Sequence, residues 1–205
     1  MTSVVKVTPI AAALLAWLAG PPACLRSQAK VHYYTLARGA PFEARGAAAQ
    51  YTVQVAPVSV PEVLDRPELV LRVSDTELAV DDDHRWAEPL RTGIARAVAE
   101  SLARELHGAA VSTAQQGATK PSSDVELTID LQRLDVSLTG GVTIDVAWTA
   151  RWAKDGTIRS GRSTARIQDA PPGGYDGAVT ACALALDAVG SDIGRSIRLQ
   201  HLSRR

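Results

Sequence analysis

Apolar residues recur along this chain at two different periods, and the change from one to the other marks out its elements. From Leu90 the positions Leu90, Ile94, Val98, Leu102 and Leu106 fall at steps of four, with Ala97 and Ser101 widening the stripe. That spacing predicts a one-sided helix from Pro89 to about His107. Proline is tolerated at a helix start, and Gly108 stands where a C-terminal cap belongs. A second stripe, Val179, Cys182, Leu186, Val189, Ile193 and Ile197, predicts a final helix from about Tyr175 to Leu199. Between them the period drops to two. Val125, Leu127, Ile129 and Leu131 alternate, then Leu134, Val136 and Leu138 continue on the opposite parity. Because a one-residue slip would turn the apolar face outward, a β-bulge is expected near Gln132-Arg133.

Turn residues divide the rest. Gly140-Gly141 precedes a strand whose face carries Val142, Ile144, Val146, Trp148 and Trp152, and Asp155-Gly156 is a two-residue hairpin signal. Thr157 to Gln168 returns as a third, more polar strand, so a meander is predicted. Earlier, Val31 to Leu36 and Tyr51 to Val55 read as strands, the second ended by Pro57. Leu69, Leu71 and Val73 form one strand face, with Leu78 and Val80 a second after a Ser74-Asp75 turn, giving a hairpin. Arg38 to Ala49, Thr113 to Ser123 and the Pro171-Pro172-Gly173-Gly174 break read as loops. The expected fold class is α+β, a largely antiparallel sheet with two main helices packed on one face.

The amino terminus follows another logic. Residues 1 to 23 read as a signal peptide: Lys6, an apolar run from Val7 to Leu18, then small and turn-forming residues up to Ala23. The run is shorter than the about 20 apolar residues that a bilayer span needs. Cys24 follows directly and resembles the acylated cysteine of a bacterial lipobox. Pro21 and Pro22 depart from the usual leucine-led triplet, and Leu18-Ala19-Gly20 looks like a displaced version of it. The alternative is an ordinary secretory signal that leaves Cys24 as a free thiol. Leu25 in place of aspartate favours the outer membrane by resemblance to bacterial sorting rules. Residues 24 to 30 are then a lipidated tether, and 31 to 205 one periplasmic α+β domain.

Composition adds mainly exclusions. The 22 basic and 22 acidic residues balance, which gives no reason to expect nucleic acid as a partner. Two cysteines and four histidines are too scattered for a metal cluster, and no cofactor is expected. A Cys24–Cys182 disulfide competes with acylation of Cys24, and Cys182 lies on the apolar face of the last helix, where it reads as a small buried hydrophobe. The chain has no G-x-S-x-G elbow, no phosphate loop and no H-E-x-x-H. Asp81-Asp82-Asp83-His84 is the nearest approach to a metal or acid–base group, and a solvated turn explains it as well. The glycines between Pro171 and Gly177 lack the spacing of a phosphate cradle. No enzyme is expected.

Two blocks remain, Leu64-Asp65-Arg66-Pro67 with Leu69-Val70, and Arg85-Trp86-Ala87-Glu88-Pro89-Leu90. With His32-Tyr33-Tyr34-Thr35-Leu36, they resemble the paired signature of the PqiC (also YmbA) family, auxiliary lipoproteins of ABC-type and MCE-type transport systems. The resemblance implies a non-catalytic outer-membrane lipoprotein, anchored through Cys24, that docks onto an MCE-domain partner, with homo-oligomers a further option. In the residues themselves, Arg85, Trp86 and Glu88 admit two readings. One is a fixed network locking a sheet–helix junction; the other is an interface anchor, since Trp and Arg are favoured there. A different class of function, a periplasmic carrier of lipid or another apolar ligand, would require a connected cavity between helices and sheet.

Overall fold

The computed structural model describes residues 30–36, 49–114 and 123–202. The signal peptide, Cys24, most of the tether, most of the Arg38–Ala49 loop and the terminal Arg204 and Arg205 lie outside the described residues, as does 115–122. The described elements run β1 (His32–Tyr34), β2 (Tyr51–Val55), a single 3-10 turn (Glu62–Leu64), β3 (Glu68–Arg72), β4 (Leu78–Trp86), α1 (Leu90–Glu105), β5 (Ala109–Thr113), β6 (Val125–Ser137), β7 (Gly141–Trp152), β8 (Ile158–Ile167) and α2 (Tyr175–Leu202).

The α+β class is as expected, but the sheet is not one antiparallel layer. Two mixed sheets form, with strand orders β1-β4-β3 and β5-β2-β6-β7-β8. The meander β6-β7-β8 and the hairpin β3-β4 are antiparallel, whereas β2 pairs in parallel with both β5 and β6, and β1 in parallel with β4. Parallel neighbours need long crossovers, which leave no local turn signal.

The bulge falls where the parity changes. Leu131 faces Val146 and Arg133 faces Asp145, so Gln132 is the extra residue. Leu127, Ile129 and Leu131 before it, and Leu134 and Val136 after it, therefore stay buried on one face. Gly141 (φ +79°) and Gly156 (φ +69°) take the left-handed conformation at the two hairpin turns. Helix α2 covers β6, β7 and β8, while α1 packs on α2 and β5. Gly190 and Gly194 let the helices approach closely: a Cβ on either would meet Ser101 at 2.5 Å or Glu105 at 2.7 Å. By length and composition α2 is apolar enough to cross a membrane, but 67% of its most apolar window is buried within the fold. It is the core helix.

Four local expectations need correction. Asp81-Asp82-Asp83-His84 is no turn, because β4 runs on to Trp86 as the central strand between β1 and β3. Val73 lies beyond the end of β3 and is 58% exposed, and Leu78 and Val80 are exposed as well, so the hairpin's apolar face narrows to Leu69, Val70 and Leu71. A strand, β5, follows α1 directly, and Pro89 is the N-cap rather than the first helical residue. Helix α2 continues to Leu202.

Candidate functional site

The two motif blocks, separated in sequence by the β3-β4 hairpin, converge at the start of α1. Leu64 closes the 3-10 turn and is buried, while the Asp65 N–H is held by the carbonyls of Pro61 and Glu62 at 3.1 and 3.2 Å. This aims the Asp65 carboxylate at Arg91 on the first turn of α1; the Nε contact is 3.3 Å and Nη2 closes an ion pair. The Pro67 carbonyl accepts the Trp86 N–H at 2.7 Å, and the Tyr34 carbonyl accepts the Ala87 N–H at 2.7 Å. Trp86 is 7% exposed and belongs to the core. Both motif blocks and β1 are thus stitched together by main-chain bonds at one corner.

The charges at this corner are shared differently from the expected trio. Arg85 donates from Nε to the Asp82 carbonyl at 3.0 Å and pairs with Glu68 at 3.6 Å, and Glu68 also receives Arg66 at 3.7 Å. Glu88 pairs with Arg96, two turns along α1. Arg85 and Glu88 therefore serve separate pairs on either side of Trp86. Pro89 caps the helix with φ −51° and ψ 131°, its carbonyl receiving the N–H of Thr92 at 2.8 Å. Arg91, Arg96 and Glu68 complete the ion pairs of this corner and were not singled out by the sequence pattern. Arg91 and Arg96 occupy the polar side of the α1 stripe, where nothing in the sequence says which carboxylate they meet.

A groove of about 730 Å³ lies against this corner. Pro57 and Val58 beyond the end of β2, Thr113 and Ala114 at the end of β5, and Pro89 and Ala95 on α1 form much of its wall, with Asp65, Arg91 and Arg96 at its polar side. It sits at the carboxyl ends of two parallel strands and beside the helix that connects them, the place where open α/β layers leave a crevice. Its two arginines are each already matched by a carboxylate.

A second cluster joins β1, β4 and α2. The His84 ring stacks with Tyr175, centroids 3.5 Å apart, and with His32 at 5.1 Å, and its Nδ1 lies 2.8 Å from the Tyr34 hydroxyl. Tyr175 donates its hydroxyl to Asp81, and that bond, with burial, pushes the phenol up to about 12. Burial raises the Asp81 carboxyl, but the bonds from Tyr175 and the Asp83 N–H outweigh it and hold it below the usual carboxylate range. Among the described residues no group of three or more His, Cys, Asp or Glu side chains could hold a metal. Cys182 is free and fully buried, and burial pushes its thiol up to about 12, which leaves it no nucleophile at neutral pH. The arrangement braces an amino-terminal strand against the last helix.

The family model described as ABC-type transport auxiliary lipoprotein component matches residues 34–194. A crystal structure described as an uncharacterized protein superposes with a TM-score of 0.68 at 21% identity, covering 82% of this chain and 99% of its own. Protein XCC0632 from Xanthomonas campestris, of family DUF330, superposes with a TM-score of 0.64 at 21% identity, covering 85% of this chain and 100% of its own. Both share the fold. Among curated proteins, no significant match to this chain was found.

Proposed function

Since the chain belongs to the family of ABC-type transport auxiliary lipoprotein components, we propose that it is a non-catalytic lipoprotein of the outer membrane, an accessory subunit of an MCE-type system for intermembrane lipid transport or membrane integrity. The family match over 34–194 carries this reading. Cys24 bears the acyl chains, residues 24 to 30 form the tether, and the domain from 31 onward faces the periplasm. Several acyl chains are needed, because a single one gives only marginal anchoring.

The filled layer between the helices and the five-stranded sheet favours a docking subunit over a carrier. Leu127, Ile129, Val146, Leu186, Ile193 and Leu102 meet there with almost no exposure, whereas the groove at the start of α1 is open to the surface and partly polar. Of the corner built by Leu64, Asp65, Arg66, Pro67, Arg85, Trp86, Glu88 and Pro89, Asp65 and Pro89 line that groove, and the groove is the face offered to the MCE-domain partner.

The experiment combines mass spectrometry of the mature protein with affinity purification from envelope membranes. The expected result is an acylated amino-terminal Cys24, outer-membrane fractionation and recovery of an MCE-domain protein. Arg91→Glu, which reverses one wall of the groove, is expected to lose that partner while acylation persists. An unacylated protein in the soluble periplasmic fraction would overturn the anchor; retention of the partner by Arg91→Glu would overturn the docking face.

A further inference from the structure

Strand β8 closes one end of the five-stranded sheet, and its free edge carries arginines and no acid. Trp152 donates its N–H to the Thr157 carbonyl at 2.9 Å, and the next pair in register is Arg151 opposite Ile158. Opposed residues in an antiparallel ladder alternate between bonded and unbonded pairs. Arg159, Gly161, Ser163, Ala165 and Ile167 therefore direct their main-chain groups to β7, and Ile158, Ser160, Arg162, Thr164 and Arg166 direct theirs outward. Among the described residues no main-chain bond reaches these outward groups.

Natural edges are usually blunted by shortness, proline, a bulge or charged side chains, and on β8 only the last of these is present. β8 has ten residues, no proline and an unbroken register with β7. It contains Arg159, Arg162 and Arg166 and no acidic residue. Arg162 is matched by Asp145 on β7. Arg159 reaches the Gln200 side chain at 3.5 Å and Arg166 the Thr143 hydroxyl at 3.2 Å. Every other arginine among the described residues has a carboxylate within ion-pair distance. The two exceptions thus flank one open edge.

We propose that the β8 edge is a strand-addition site for an extended acidic segment of a partner protein. Main-chain bonds to the outward groups would supply the pairing, and carboxylates opposite Arg159 and Arg166 the selectivity. The two arginines are seven residues apart, about 23 Å at the rise of a strand, so the segment needs about eight residues. A second copy's β8 does not fit, because it would bring arginine against arginine. The site is separate from the groove at α1, and its failure leaves the docking proposal there intact.

The test uses the mature lipoprotein in detergent and hydrogen–deuterium exchange across 157–168. The probes are a ten-residue synthetic peptide of alternating valine and threonine with glutamates at both ends, and its counterpart with lysines. The acidic peptide is expected to slow exchange of about half the β8 amides by tenfold or more, and the lysine peptide to leave them unchanged. Arg159→Glu with Arg166→Glu should exchange the preferences. Ser160→Pro, which removes an outward N–H at a position where edges tolerate proline, should abolish protection with an unchanged melting temperature; if it does not fold, the charge-reversed pair decides. No protection at millimolar acidic peptide, equal protection by both peptides, or concentration-dependent protection of β8 without peptide would each overturn the proposal.

Discussion

Replacing Trp86 by alanine separates the two roles that its position allows. The indole is 7% exposed, and a buried tryptophan removes about 150–250 Å² from water, worth about 4–6 kcal/mol at 25 cal/mol per Å². The main-chain bonds from Trp86 to Pro67 and from Ala87 to Tyr34 survive the substitution, so the loss is confined to the ring and the cavity it leaves. Truncations of this kind cost about 3–5 kcal/mol. In a domain of this size each kcal/mol shifts Tm by about 2–4 °C, so Trp86→Ala should melt about 6–20 °C lower. Circular dichroism melts measure this directly, with Trp86→Phe as a milder control. Partner recovery below the new Tm should be retained. A melting curve within about 2 °C of the parent, together with loss of the partner, would refute the reasoning and make Trp86 an interface anchor.

Val98 is buried mid-stripe on α1, so Val98→Asp sets a charge in the core and should cost several kcal/mol, seen as loss of the cooperative melt. A Cβ on Gly161 would lie 2.5 Å from the Trp148 ring, so Gly161→Ala should lower the unfolding free energy by about 1–3 kcal/mol, read as a fall in the urea midpoint, and Trp148→Leu in the same chain should relieve part of that loss. Additive effects in this pair would show that the ring does not lie on Gly161. The Tyr175 phenol stands at about 12 when folded, against about 10 unfolded, so its contribution is complete below pH 10 and is lost as pH rises toward 12. Tyr175→Phe should flatten the fall in Tm across that alkaline window. The Asp81 carboxyl is held low, so it stabilises above the unfolded carboxylate range and its share is lost as pH falls through the folded value; Asp81→Asn should flatten the acid limb.

The parts of the fold that were legible in sequence are those with local causes. Gly156 and Gly141 turn their hairpins through positive φ, although the Trp152 to Thr157 bond closes a four-residue loop where Asp155-Gly156 suggested a two-residue turn, and the parity change at Gln132 forces a bulge whatever the surroundings. Strand β5 escaped because Ala109-Ala110-Val111-Ser112-Thr113 offers one strongly apolar position, Val111, and gains its strand character from β2 alongside. Asp81 to His84 read as a turn because three carboxylates in a row suggest water. Their place in β4 is fixed by Leu69 opposite Asp81 and by β1, whose His32 and Tyr34 flank His84 and Trp86.

The motif blocks were legible as blocks but not as a site, and the difference is topological. Strand β2 takes β5 on one side and β6 on the other, both parallel, so the chain between β2 and β5 must leave the sheet and return. It leaves through the 3-10 turn and the β3-β4 hairpin, and returns through α1. The turn after Leu64 and the bend at Pro89 are the two points where that excursion changes direction, and the Pro67 to Trp86 bond holds them at one corner. Once they meet, Asp65 faces Arg91 across 26 residues of sequence, a pairing that helical or strand periodicity cannot encode. An arginine exposed on α1 gives no hint of its partner until the crossover is known. The same excursion leaves the ends of β2 and β5 uncovered beside the first turns of α1, which is where the groove forms.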